Sequence, residues 1–171
     1  LETFLTILEH HNVSKIIAHN IDFDINMVKA ECYRLIEKQE KFALKNRLGE
    51  PIKNDAYTYF NKLYTCFNTR LNNVKKFCTM KNNKDRCGIV RYWDDGTKYN
   101  KFPSLIELYQ YLFNETPSDL HDAMMDVFVC LKCYVKTECV GEKQKELITD
   151  CQELMSRRSY DLKNCSIYQK N

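Results

Sequence analysis

The sequence predicts an α/β domain, and three features carry that prediction. One is a short β-branched run, Ser14-Lys15-Ile16-Ile17-Ala18-His19. The second is the pair of helical-period apolar stripes that flank it. The third is a later strand candidate followed by further helices, the alternation expected of α/β chains. At 171 residues the chain has single-domain length and enough mass to bury a core. Its 44% hydrophobic and 29% charged residues are ordinary for a globular protein. No apolar run reaches the length of a membrane span, and the start shows no signal-peptide pattern. The expectation is a soluble intracellular protein with no membrane partner.

Leu1 to His11 reads as a helix with Leu1, Phe4, Leu5 and Leu8 on one stripe. After the strand, Ile21, Ile25, Val28, Cys32, Leu35 and Ile36 recur at steps of four, three, four, three and one, which predicts an amphipathic helix capped by Asn20 or Asp22. From about Glu37 to Asn54 the chain is polar and punctuated by Gly49 and Pro51, so a loop is expected. Asp55 to Val74 reads as an aromatic-rich helix inserted at the edge of the domain, with core packing as the role of its rings. Lys76 to Met80 is a short strand, and Arg86 to Lys98 a hairpin turning at Asp95-Gly96. A helix with Pro103 in its first turn follows, burying Leu105, Leu108, Tyr109 and Leu112. Asp119 and Asp122 read as the cap and capping box of the next helix. Glu142 to Arg157 is a last helix, with a polar tail from Arg158.

Two acids stand out. Asp126 lies in Ala123-Met124-Met125-Asp126-Val127-Phe128-Val129-Cys130-Leu131, where apolar residues cover most of the helix circumference. A carboxylate buried there is costly unless a metal, a cation or hydrogen bonds meet it. His121 precedes it at the helix mouth, so a general base beside a metal ligand is one reading. Asp24 opens the earlier helix at the carboxyl end of a strand, where open α/β sheets place ligands. Favourable interaction with the helix dipole is its bland explanation.

The formal charge of +3 does not by itself indicate a nucleic-acid protein. Lys75, Lys76, Lys81, Lys84, Arg86 and Arg91 form a local basic region, ordinarily a solvated face and a phosphate-facing strip only beside a substrate site. The nine cysteines are an odd number, which favours reduced thiols. Cys130 and Cys133 have the gap of a zinc half-site but no second pair, so core packing outweighs a zinc-structured interaction domain.

With both acid-bearing helix starts in view, the chain resembles the DEDD exonucleases of the histidine subtype, the family of the proofreading epsilon subunit of bacterial DNA polymerase III and of RNase T. The second family motif is similar to His19-Asn20-Ile21-Asp22-Phe23-Asp24, and the third, His-x-Ala-x-x-Asp, to His121-Asp122-Ala123-Met124-Met125-Asp126. Phe77 to Met80 and Phe102 to Phe113 are similar to the elements between them, so the resemblance spans roughly His19 to Tyr134.

The resemblance implies a ribonuclease H-like fold and two-metal hydrolysis with Mg²⁺ or Mn²⁺. It makes Asp126 a direct ligand, Asp24 a ligand through water, His121 the general base and Asn20 a substrate contact. Nucleoside monophosphates would leave single-stranded 3′ ends in the 3′ to 5′ direction, in DNA replication, repair or RNA processing. Homodimers and polymerase partners are the assemblies it implies.

The family's first motif, Asp-x-Glu, is absent from the chain. The expectation is therefore that Leu1 is not the natural start. Residues 1–140 would form an exonuclease domain lacking its first strands, with an insertion at about 38–75, and residues 141–171 a helix and tail. Such a fragment is expected to be inactive alone. The alternative is a non-catalytic relative that binds nucleic acid without cutting it. The richness in Asn, Lys, Ile and Tyr suits an AT-rich genome, such as that of a large DNA virus.

Overall fold

Ile16 and Ile17 do form a strand, β1 (Lys15–Ala18), preceded by helix α1 (Glu2–His10) and followed by helix α2 (Ile21–Lys45). The computed structural model describes residues 2–45, 64–65, 69 and 71–164. Most of the predicted aromatic insertion lies outside them. Beyond it come β2 (Lys75–Cys78), two single-turn helices α3 (Thr79–Asn82) and α4 (Lys84–Cys87), and the strands β3 (Val90–Tyr92) and β4 (Lys98–Asn100). Three longer helices close the described chain: α5 (Leu105–Phe113), α6 (Ala123–Glu138) and α7 (Gly141–Asn164). Over the described residues the architecture is mixed α/β, mostly helical, with two two-stranded sheets, β1–β2 and β3–β4. Among the described residues no helix is long and apolar enough to cross a membrane.

The chain divides into two compact units, 1–16 with 21–76, and 17–20 with 77–171. In the first, Leu8, Cys32 and Leu71 are buried, and Phe4, Val13, Ile16, Ile25 and Val28 pack around them. The predicted stripes of α1 and α2 supply most of that core. Helix α2 runs on to Lys45, past the expected end at Glu37. Its second half is rich in Glu, Lys, Gln and Ala, all good helix formers. A Glu37–Lys41 pair at 2.6 Å spans one turn.

The second unit is built on Leu108, Tyr109, Met125, Val129, Cys133 and Met155, with Leu105, Leu112, Phe113, Leu120 and Phe128 packed against them. The stripe predicted for α5 is thus its buried face. Pro103 lies one residue ahead of the cap rather than in the first turn. Ser104 is the N-cap, and its hydroxyl accepts from the Glu107 N–H while the Glu107 carboxylate accepts from the Ser104 N–H. Lys101 donates to the same carboxylate at 2.7 Å, and that ammonium is the main reason Glu107 is held at about 2. Cys133 sits fully inside the core, and Cys130 is also buried. Desolvation pushes the Cys133 thiol well above its usual range. The seven cysteines described are all free thiols.

The hairpin is shorter than expected and shifted. Arg86 belongs to α4, which ends at left-handed Gly88, and the strands pair Val90 with Asn100, Arg91 with Tyr99 and Tyr92 with Lys98. Gly96, with φ of 82°, makes the predicted turn.

Candidate functional site

His121 and Asp126 flank one helix mouth. His121 is exposed and immediately precedes the N-cap, while Asp126 lies half-buried in the first turn of α6. The backbone leading there is tightly set. Asp119 has φ of 56° and His121 φ of 76°, both in the left-handed region that non-glycine residues seldom occupy. Such strain persists where surrounding contacts over-determine it.

Those contacts come from α7, which packs along α6 in the same unit. The Asp122 carboxylate caps α6 by accepting from the Met125 N–H at 3.0 Å. It also accepts two hydrogen bonds from the Arg158 guanidinium, from Nε at 3.0 Å and from the terminal nitrogen at 2.7 Å. One residue on, the Ser159 hydroxyl donates to Asp119. The capping residue is therefore Asp122, not Asp119. The polar tail expected from Arg158 is instead helical and latches the loop that carries His121.

The Arg158 guanidinium, with help from the Met125 N–H, holds the Asp122 carboxyl at about 2, against an ordinary 3.8. Because the folded value is depressed, the stabilisation is present above the unfolded value near 4 and is lost as pH falls towards 2. Arg158→Met is expected to lower the melting midpoint at pH 6 by several degrees and to flatten its fall between pH 4 and 2. Glu107, depressed for its own reasons, leaves a residual acid dependence. Melting curves of both proteins across that range check this, and parallel curves would sink the latch.

Asp126 is not the buried carboxylate that the sequence suggested. Helix α6 is apolar over much of its surface but not enclosed: Met124 is 49% and Val127 57% exposed. Asp126 borders that open side and is half-buried, not enclosed in the core. The charged residue that α6 does bury is Lys132, 3% exposed. Its ammonium donates to the Tyr109 hydroxyl at 2.7 Å and to the Gln152 side-chain carbonyl. It also lies 4.3 Å from the Phe113 ring centre. Burial pushes its pKa down. A signal for this existed, since Lys132 continues the Met125–Val129 stripe at a step of three.

Asp24 is exposed on the first turn of α2 in the first unit, whereas His121 and Asp126 belong to the second. Asn20 is exposed in the turn after β1. Its neighbour His19 is a strut: Nε2–H donates to the Pro103 carbonyl at 3.0 Å, and Nδ1 faces the Thr79 hydroxyl at 3.0 Å. A carbonyl only accepts, so Nε2 carries a proton. These bonds tie the end of β1 to the starts of α3 and α5. Among the described residues no group of three or more His, Cys, Asp or Glu side chains is placed to hold a metal ion. The grouped residues alone do not fit a two-metal centre. A cleft of about 390 Å³ beside the latch is lined by Tyr109, Glu115, Gln152 and Ser159 among others, and includes neither His121 nor Asp126.

Comparison of the chain with protein-family models, with curated proteins and with solved structures finds no match.

Proposed function

We propose that the chain belongs to a ribonuclease H-like 3′–5′ exonuclease of the DEDD type, histidine subtype, which releases nucleoside monophosphates from single-stranded 3′ ends. The observation that carries this reading is local. An exposed histidine in a left-handed backbone stands one residue before the cap of a helix whose first turn bears an acid. A strand, a His-Asn turn and an acid on the first turn of a helix follow one another at His19, Asn20 and Asp24. Backbone strain of this kind clusters at functional sites. In this reading Asp126 and Asp24 would hold Mg²⁺ or Mn²⁺ with further carboxylates, the ions would activate a water and neutralise the phosphate, His121 would take the proton of that water, and Asn20 would touch substrate. The free thiols suit a reducing intracellular compartment.

One observation favours a second reading, a nucleic-acid-binding relative that does not cut. It is the absence, among the described residues, of a metal-holding acid group.

The two separate on the protein made from the complete reading frame, incubated with 3′-labelled single strands. The exonuclease reading expects monophosphates to be released with Mg²⁺ or Mn²⁺ and digestion to stop with chelator. Binding that is salt-sensitive, indifferent to chelator and without cleavage selects the second.

A further inference from the structure

The β3–β4 hairpin carries an aromatic and cationic surface that the fold leaves open. Cross-strand pairing and alternation place Arg91, Trp93 and Tyr99 on one face and Tyr92 with Lys98 on the other. On the first face the Trp93 ring stacks on Tyr99, centroids 4.4 Å apart and planes 25° from parallel. That stack covers one side of the indole only. Trp93 remains 59% exposed and Tyr92 68%. Phe102, just beyond the hairpin, is also exposed, with the Lys84 ammonium 4.8 Å from its ring centre.

The charges are sorted. The strands carry Arg91 and Lys98 and no acid, and Lys84 and Arg86 lie on the helix before them. The acids are committed elsewhere: Asp95 closes the turn by accepting from the Thr97 N–H, and Asp85 accepts from the Asn100 amide. Asp94 sits with Asp95 at the tip, so the hairpin has a cationic body and an acidic end. Cross-strand stacking of Trp93 on Tyr99 supports the hairpin by itself. It does not account for the outer indole face, for Tyr92, or for cations on both faces. Among the described residues no acid is paired with Arg91 or Lys98, and flat rings interleaved with such cations match a flexible polyanion with flat groups.

We propose that this hairpin is a stacking platform for single-stranded nucleic acid. One base lies on the outer face of Trp93 and another on Tyr92 across the hairpin, and Arg91 and Lys98, one on each face, meet phosphates as the strand crosses the body rather than the acidic tip. Base stacking of this kind is tolerant of sequence. The proposal stands apart from the exonuclease reading, because binding here needs no metal and no cleavage.

Trp93 is the chain's single tryptophan and therefore its own reporter. Titrating the chain with oligothymidylate of about fifteen nucleotides in the presence of chelator is expected to quench its emission saturably, and less so at higher salt. Polyglutamate at equal charge should leave the emission unchanged. By anisotropy of a labelled strand, Trp93→Ala should weaken binding about tenfold or more, and Tyr92→Ala, which leaves the Trp93–Tyr99 stack intact, should weaken it also. Arg91→Gln should reduce the salt slope by about one. Melting curves confirm that each variant is folded. Equal quenching by polyglutamate, or unaltered affinity in both aromatic variants, overturns the proposal and assigns the surface to a protein partner or to hairpin packing.

Discussion

In the proposed exonuclease reading, His121→Ala is expected to slow removal of 3′-terminal nucleotides about 10²- to 10⁴-fold, the usual contribution of a positioned general base. Imidazole is the side chain suited to exchange a proton in the neutral range. His121 is exposed at the α6 mouth, open to solvent. The loss should fall on kcat rather than on KM, because strand binding is assigned to other surfaces. His121 lies outside the buried core, so the melting midpoint should move little, in contrast to Arg158→Met. Unchanged kcat with His121 replaced would remove it from the reaction and assign the proton transfer to another group.

The second large effect concerns Lys132. Tyr109→Phe deletes only a hydroxyl, yet it is expected to cost about 2–3 kcal/mol, because a buried ammonium loses one of its two hydrogen-bond acceptors. Lys132→Met keeps the length of the side chain and removes the charge, so its cost should be small or even reversed. The double variant should then be far less destabilised than the sum of the single changes, since with both substitutions in place no unsatisfied cation is left in the core. Denaturant unfolding of the four proteins gives the coupling directly. Strict additivity would show that the ammonium does not depend on Tyr109. The network joins α5 to α6 and, through Gln152, to α7, so it bears on the register of three helices that support the His121 loop.

Much of the fold is legible in the residues because periodicity is a local property. The stripe Leu105, Leu108, Tyr109 and Leu112 names the buried face of α5, and Ile16-Ile17 marks β1. Asp95-Gly96 marks a turn that only a residue tolerant of positive φ can make. Local patterning reads ends poorly. Helix α2 passes Glu37 because its polar continuation favours helix, and polarity alone resembles a loop. The hairpin registers four residues later than expected at its first strand, because α4 takes Arg86.

The order of the candidate site residues, His19 to Asp24 and His121 to Asp126, is a property of the sequence, as is the lack of an Asp-x-Glu. So is the placement of each acid near a helix start, since caps and apolar stripes are short-range signals. What tertiary structure alone decided is which charges are buried and what holds the loop. Burial depends on which face a neighbouring helix covers. Asp126, among apolar neighbours in sequence, borders an open side of α6, while Lys132 lies beneath α5 and α7. Likewise Arg158 reads as tail until α7 packs along α6 and brings it 36 residues back to Asp122. Contacts at that separation leave no periodic trace, because the chain between them is free to place its ends in many ways until the core closes.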